Sequence, residues 1–181
     1  MSLPDVVQAL WNGLQAVRAE VLAESEGLSQ AQSEWRPREE EWSVGEVIHH
    51  LTIAEIATGK LTTKLTREAE AAGRLAPFPP DLREFKPLPP WPPGPMEAPR
   101  VVWPERGKPI GELVRALQAV RERSWQSIEK LASVDPRALV FEHFRLGKLD
   151  LGQWWCLQRD HDGIHLGQIR GIKGAPGFPG P

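Results

Sequence analysis

The chain has 181 residues, a formal net charge of −2 at pH 7 and charged residues at 25% of its positions. This length suits one domain, and the near-neutral balance lacks the basic footprint selected by nucleic acid or an anionic membrane, so both partners are disfavoured. One cysteine excludes an intrachain disulfide, and no signal peptide or long apolar run is present, so we expect a cytoplasmic protein. Eight tryptophans are present without a tyrosine, and composition alone does not say whether they fill a core or line a pocket.

The N-terminal part of the chain predicts an amphipathic helix. Apolar residues recur at helical spacing over 6–22, and charged residues such as Arg18 fall mostly between them. Ser2 is the expected N-cap, and the helix should run to about Gly27. The polar stretch 29–41 contains a proline and predicts an ordered loop.

A capping box predicts the start of the second helix. Ser43 is followed by Glu46 and by an apolar periodic run, so this helix should continue to about Gly73. The next segment, 77–109, holds 12 of the 18 prolines and can be neither helix nor central strand. A crossover of this length is either a strap across the helices or a lid over a site, and we favour the strap.

Two further helices complete the predicted fold. Pro109 opens the third, which should end before Asp135. The connector 137–149 shows no convincing strand alternation, and Asp150 caps a fourth helix that should end near Gly174.

These elements predict an all-α fold, a four-helix bundle with a long proline-rich crossover between the second and third helices. Residues 1–174 should form this single domain, and 175–181 should be a flexible Gly/Pro tail.

Histidines on the fourth predicted helix point to a metal site. His161 and His165 are four residues apart, so one metal ion can bridge them, but a catalytic metal usually needs a third protein ligand. His50 falls on the apolar stripe of the second helix, whereas His49 points about 100° away, so His50 is the better inward candidate. The spacing alone leaves open that His50 is a hydrogen-bonded core histidine and that the other two form an exposed pair.

A family resemblance favours the metal site. Residues 42–51, WSVGEVIHHL, resemble the W-S-x-x-E-x-x-x-H-L signature of the DinB/YfiT-like superfamily, and 161–169, HDGIHLGQI, resemble its closing H-x-x-x-H-x-x-Q-I. Residues 146–154 also resemble the family's approach to its last helix. The resemblance covers most of the chain except the crossover, which is longer than usual.

The resemblance implies a four-helix bundle in which His50, His161 and His165 bind a divalent metal, most often nickel or zinc. Characterised relatives include transferases and isomerases that use a low-molecular-weight thiol such as bacillithiol or mycothiol. A homodimer and a small-molecule substrate are implied in the same way. His49 is the alternative ligand that the resemblance disfavours.

Other residues near these motifs each have two interpretations. Gln168 is the candidate catalytic residue, expected to orient a metal-bound water or substrate, and the alternative is a buried amide bonded to a neighbouring loop. Glu46 is expected to act in the capping box of the second helix, and the alternative is that it supports His50 as a metal ligand. His143 is expected to be a surface histidine rather than a proton shuttle. Cys156 is expected to be a packed small hydrophobe rather than a nucleophile.

Three glycines, Gly163, Gly167 and Gly171, repeat every four residues on the fourth predicted helix. Each costs about 1 kcal/mol in helix propensity relative to alanine, so the pattern needs a packing reason. We expect a tight contact with another helix of this chain, and a dimer seam is the alternative.

Two functions are consistent with the sequence. The first is an enzyme, a metal-dependent hydrolase or thiol S-transferase. The second is a non-catalytic metal-binding or stress-response interaction module. No carboxylate base is evident beside the histidine pair, which weakens the case for a hydrolase.

Overall fold

A computed structural model describes residues 2–94 and 98–180. Within them the chain forms five α-helices, two short 3-10 helices and one two-stranded antiparallel sheet. The helices are α1 (Asp5–Ser25), α2 (Gln30–Glu34), α3 (Val44–Ala71), α4 (Ile110–Ser133) and α5 (Leu151–Lys173), and the strands are β1 (Val140–His143) and β2 (Gly147–Asp150). The protein is therefore mostly helical, as the periodicity predicts.

Capping residues explain where the long helices begin. Ser43 with Glu46 forms a capping box at α3, and Asp150 with Gln153 forms one at α5, as predicted. Pro109 precedes α4 as its N-cap. The prediction of a Ser2 cap for α1 is wrong, because Pro4 is the N-cap and no side chain bonds to it.

Four long helices pack against one another and enclose the core. Helix α1 contacts α4 and α5, and α3 contacts the same two helices, so the contacts close into a ring. His50 of α3 lies beside His161 of α5, and Thr62 lies beside Trp155, so these two helices run in opposite directions. No helix among the described residues is apolar and long enough to cross a membrane.

Two connectors contain structure that the sequence did not predict. The stretch expected to be a loop holds the short helix α2, which begins with a capping box of Ser29 and Gln32. The connector before α5 forms the β1–β2 hairpin, with Val140 paired to Asp150 and His143 to Gly147. Gly147 adopts φ +70°, which permits the tight turn. Four-residue strands are too short for alternation to be convincing, which is why the pattern failed here.

The proline-rich crossover follows the surface and is fixed at several points. Residues 100–102 form a single 3-10 turn, and the remaining described part has neither long helix nor strand, as predicted. Phe85 packs against Gly152 at the start of α5, and the Gln153 side chain donates to the carbonyl oxygen of Pro87 at 2.7 Å. Residues 95–97 lie outside the described part of the chain.

The C-terminal segment that we expect to be flexible lies beside α2. Phe178 packs edge-on against Trp35 with ring centroids 5.5 Å apart, and Gln32 donates to the carbonyl oxygens of Pro179 and Gly180. Residue 181 lies outside the described residues. The mobility of this segment stays a prediction.

Candidate metal centre

Three imidazoles meet between α3 and α5. The Nε2 atom of His161 lies 3.0 Å from Nε2 of His50 and 3.1 Å from Nε2 of His165. Two nitrogens that each lie about 2.0–2.1 Å from one zinc ion are about 3 Å apart, so this spacing fits neighbouring ligands of one metal. The structure thus brings together the three histidines that the sequence indicated.

Hydrogen bonds to the outer nitrogens set the tautomers of two of these rings. Nδ1 of His50 lies 2.7 Å from the carbonyl oxygen of Val102, and Nδ1 of His165 lies 2.7 Å from Oε1 of Gln168. Both oxygens only accept, so each Nδ1 carries a proton and donates it. In the neutral rings each Nε2 therefore presents its lone pair to His161, as a metal ligand requires.

Burial keeps the cluster neutral. It lowers the pKa of His50 to about 4, and the nearby His165 contributes to the same shift. The pKa of His161 is also lowered, by burial and by the two neighbouring histidines. The pKa of His165 is lowered by burial, against the bond to Gln168 that raises it. Neutral imidazoles suit zinc, nickel, copper or iron, and no hydrogen bond among the described residues sets the tautomer of His161, because its Nδ1 is buried without a partner.

Gln168 contacts a histidine rather than a loop. Its side chain is half-buried and lines the same cavity as the ligands, one turn beyond His165. The observed bond fixes the orientation of the His165 ring. A role toward water or substrate stays a prediction.

The residues next to His50 have other partners. Glu46 accepts from the Ser43 backbone and pairs with Arg36 at 3.1 Å and Arg106 at 3.3 Å, so its cap and these ion pairs account for it. His49 faces away from the cluster, and its Nδ1 accepts from the backbone N–H of Glu105 at 2.9 Å. Both adjacent histidines of α3 therefore hold the crossover, one through Glu105 and the other through Val102.

His143 is not on the outer surface, and this expectation is wrong. It is 8% exposed, closes β1, and lines the cavity that contains the cluster. Its Nδ1 accepts from the backbone N–H groups of Arg145 and Leu146, at 3.3 and 3.1 Å. Burial lowers its pKa, so the ring is neutral and carries its proton on Nε2. The hairpin that positions it was not predicted, which explains the error.

Cys156 is a packed residue, as the sequence predicts. Burial raises the pKa of Cys156 to about 11, and the residue packs against the core, so it behaves as a small hydrophobe.

In the glycine row of α5, Gly167 and Gly171 are exposed, and a Cβ at either position would meet nothing within 4 Å. Gly163 is also exposed, with Val17 at 4.0 Å from such a Cβ. The predicted tight contact within the chain is therefore wrong.

A large cavity opens on the three histidines. Its volume is about 1290 Å³, and its wall is mostly apolar. Four of the eight tryptophans line it: Trp42, Trp91, Trp103 and Trp154. The Trp42 ring lies 4.8 Å from His50 and 6.2 Å from His165 between centroids. Tryptophan-rich composition was the one sequence signal for this cavity, and the fold decides which tryptophans face it.

Behind the histidines lies a buried ionic quartet, Arg18, Glu55, Arg121 and Asp162, with one member from each long helix. Each is at most 4% exposed, and the two positive and two negative charges cancel. Burial raises the pKa of Glu55, but the bonds and charges of the two arginines outweigh it and the pKa is lowered. Arg121 also donates to the carbonyl oxygen of Leu14.

A hydrogen-bonded chain joins the quartet to the cavity wall. Thr58 donates to Oε1 of Gln158 at 3.0 Å, and Nε2 of Gln158 donates to Asp162 at 3.0 Å. Asp162 directly follows His161, so the quartet fixes the rotation of α5 that turns this ligand inward. The charge of Arg18 predicts an exposed position between the apolar residues, although its spacing from Leu14 and Val21 matches the buried stripe.

Comparison with known protein families gives a match. The sequence profile of the DinB superfamily matches residues 14–169, which include all three histidines of the cluster. Searches of curated proteins and of solved structures gave no significant match.

Proposed function

The chain belongs to the DinB superfamily, and on that premise we propose that it is an enzyme dependent on a divalent metal, nickel or zinc, held by His50, His161 and His165. The observation that carries this proposal is the convergence of three Nε2 atoms on a cavity of about 1290 Å³. A structural metal site is normally closed by four protein ligands, whereas three ligands facing a cavity leave a position for a reactant.

Transfer of a low-molecular-weight thiol to a small-molecule substrate is the reaction we favour, with hydrolysis as the alternative. A metal in this site lowers the pKa of a thiol or a water molecule that binds to it. Three neutral imidazoles leave the charge of the metal uncompensated, which favours an anionic partner such as a thiolate. Among carboxylates that line the cavity, Glu46 is engaged by Arg36 and Arg106, so it is a poor general base for water.

Two side chains around the site have assignable roles in such a reaction. Gln168 orients His165 through its Oε1, and the Val102 carbonyl orients His50 in the same way. His143 presents Nε2–H, because its Nδ1 accepts two backbone bonds. We assign this N–H as a hydrogen-bond donor to the substrate.

A non-catalytic metal-binding module is the second candidate. The observation that favours it is the attachment of the crossover across one side of the cavity by His49 and His50. In that case the crossover would protect the metal from small thiols, and no turnover would be found.

We also propose that α1, α3, α4 and α5 form the four-helix bundle of the family within one domain, 1–174. The closed ring of contacts among these helices supports this arrangement. We propose a cytoplasmic location for this domain, and the low net charge supports the absence of a nucleic-acid or membrane partner. Because Gly163, Gly167 and Gly171 are exposed, the remaining explanation of this glycine row is a dimer seam, and we propose a homodimer.

The first test is metal content by mass spectrometry on protein purified without a His tag. Wild type should contain close to one nickel or zinc per chain, and His165→Ala should lose it. His49→Ala is the matched control, since it removes an adjacent histidine outside the cluster and should keep the metal. Wild type that stays metal-free after addition of nickel or zinc would overturn the proposal.

Activity is tested on the metal-loaded protein with cysteine-derived thiols and electrophilic acceptors. Loss of free thiol should depend on both the metal and His161. Metal without turnover would favour the second candidate.

A further inference from the structure

The exposed apolar residues of this protein are concentrated around the cavity. The described residues include eight large hydrophobic side chains that are exposed, and six of them line it: Trp91, Val101, Trp103, Phe141, Phe144 and Ile164. Val101 is 81% exposed and Phe144 59%. A contiguous apolar surface at a concave site usually marks a binding site for an apolar partner.

The cavity differs between its two ends. From His50 toward the C-terminal end of α3, the cavity forms what we call the apolar compartment. Its wall consists of Ala57, Leu61, Phe141, Phe144, Trp154 and Leu157. The carboxylates Glu40, Glu41 and Glu46 lie on the other side, before His50 in the chain, together with Arg106, which pairs with Glu46.

The compartment contains few polar groups. Thr58 and Gln158 at its wall are bonded to each other, and His143 is neutral because burial lowers its pKa. Among the described residues that line the cavity on this side, Arg145 is charged, and its Nη2 donates to the carbonyl oxygens of Pro92 and Pro93 in the crossover. The ammonium of Lys64 lies 4.8 Å from the centroid of the Phe141 ring. Placing a charged substrate group against this largely apolar wall would cost part of its hydration.

The compartment is long enough for an extended group. Leu61 is eleven residues beyond His50, which corresponds to about 16 Å along the helix. Ala54 and Ala57 keep the α3 side of this path free of bulky side chains. A small thiol alone would leave most of the volume of about 1290 Å³ empty.

We propose that the second reactant is an elongated, uncharged molecule with one polar end and a long apolar part. The polar end lies at the three histidines, and the apolar part fills the compartment. This inference rests on the proposed metal site for the placement of the polar end. The occupant is a small molecule rather than a second protein copy, because the apolar residues line a cavity that leads to the histidines.

The test uses alkyl hydroxamates as probes, measured by isothermal titration calorimetry on the zinc-loaded protein. Acetohydroxamate reports the metal end alone, and hexano-, octano- and decanohydroxamate add the apolar part. Affinity should rise up to about fourfold per added methylene as the chain enters the compartment. Affinity that is independent of chain length would overturn the proposal.

Two tryptophan variants locate the effect. Ala57→Trp should fill the compartment, leave acetohydroxamate binding unchanged and weaken octanohydroxamate at least about tenfold. Ala116→Trp, at an exposed position of α4 outside the cavity, is the matched control and should behave as wild type. Equal weakening of both probes by Ala57→Trp would contradict the assignment.

Failure of the metal site is distinguishable from failure of the compartment. If acetohydroxamate does not bind the zinc-loaded protein, the metal end of the proposal fails. The compartment is then measured on metal-free protein with hexanol, octanol and decanol, whose binding needs no metal. Rising affinity along this series, lost in Ala57→Trp, supports the compartment, and a flat series overturns it.

Discussion

Nδ1 of His165 donates to Oε1 of Gln168 at 2.7 Å, one helical turn away, so the amide holds this ring with its Nε2 toward His161. Partners of this kind commonly change metal affinity by about 10–100-fold when removed. Gln168→Leu should therefore weaken metal binding by about this factor in a competition titration with a chromophoric chelator.

Gln168→Glu is the conservative comparison, because a carboxylate still accepts from Nδ1. It should restore most of the affinity. If the Leu and Glu variants bind metal equally well, Gln168 does not orient His165, and its place in the cavity would point to substrate contact instead.

The buried quartet predicts a strong and specific effect on stability. Glu55→Gln keeps the side-chain shape but leaves two arginines facing one carboxylate at a site without solvent. Breaking a buried ion pair from one side costs about 3–5 kcal/mol in the free energy of unfolding. Urea denaturation of the metal-free protein measures this loss.

Glu20→Gln provides the matched control, since it removes a carboxylate from an exposed pair with Arg170. Its effect should stay within about 1 kcal/mol. A loss in Glu55→Gln as small as that in Glu20→Gln would show that the quartet is not buried as described.

The neutral histidines predict that the metal-free protein is destabilised by mild acid. The pKa of His50 is lowered from 6.5 to about 4 in the folded state, so between these values the unfolded chain binds more protons. The contribution of His50 is complete above about pH 6.5 and is lost as the pH falls toward 4. From pH 7 to pH 5 this amounts to about 2 kcal/mol.

Chemical denaturation at the two pH values, with a chelator present, measures this dependence. His50→Gln cannot titrate and should show a smaller decrease than wild type. An identical decrease in both proteins would mean that His50 is not held neutral by burial.

Two glycines of α5 should respond oppositely to alanine. A Cβ at Gly152 would overlap the ring of Phe85, so Gly152→Ala should displace this crossover residue and cost about 1–3 kcal/mol. A Cβ at Gly167 would meet nothing within 4 Å, so Gly167→Ala should stabilise by up to about 1 kcal/mol through helix propensity.

Thermal and urea denaturation at several protein concentrations compare the two variants. Destabilisation by Gly167→Ala that depends on concentration would indicate that this face is buried between two copies. Stabilisation would argue against a dimer seam at the glycine row.

The sequence by itself determined the four long helices and the candidate ligands. Capping residues and apolar periodicity are local signals, so Ser43 and Asp150 fix the starts of α3 and α5 without tertiary information. The i, i+4 spacing of His161 and His165 and the stripe containing His50 are local too. These local signals indicate the three histidines because the ligands come from only two helices, and the family resemblance favours a metal site over a core histidine with an exposed pair.

Only the tertiary structure decided which polar groups are buried and what surrounds the site. In the sequence, Arg18 resembles an exposed charged residue. In the fold it is buried, because Glu55 and Asp162 of other helices bind it and offset the cost of burying its charge. The Val102 carbonyl and His143 reach the cavity through a crossover and a hairpin that have no periodic signal. Side-chain pairing across long sequence separations depends on packing, and packing is what the local pattern does not contain.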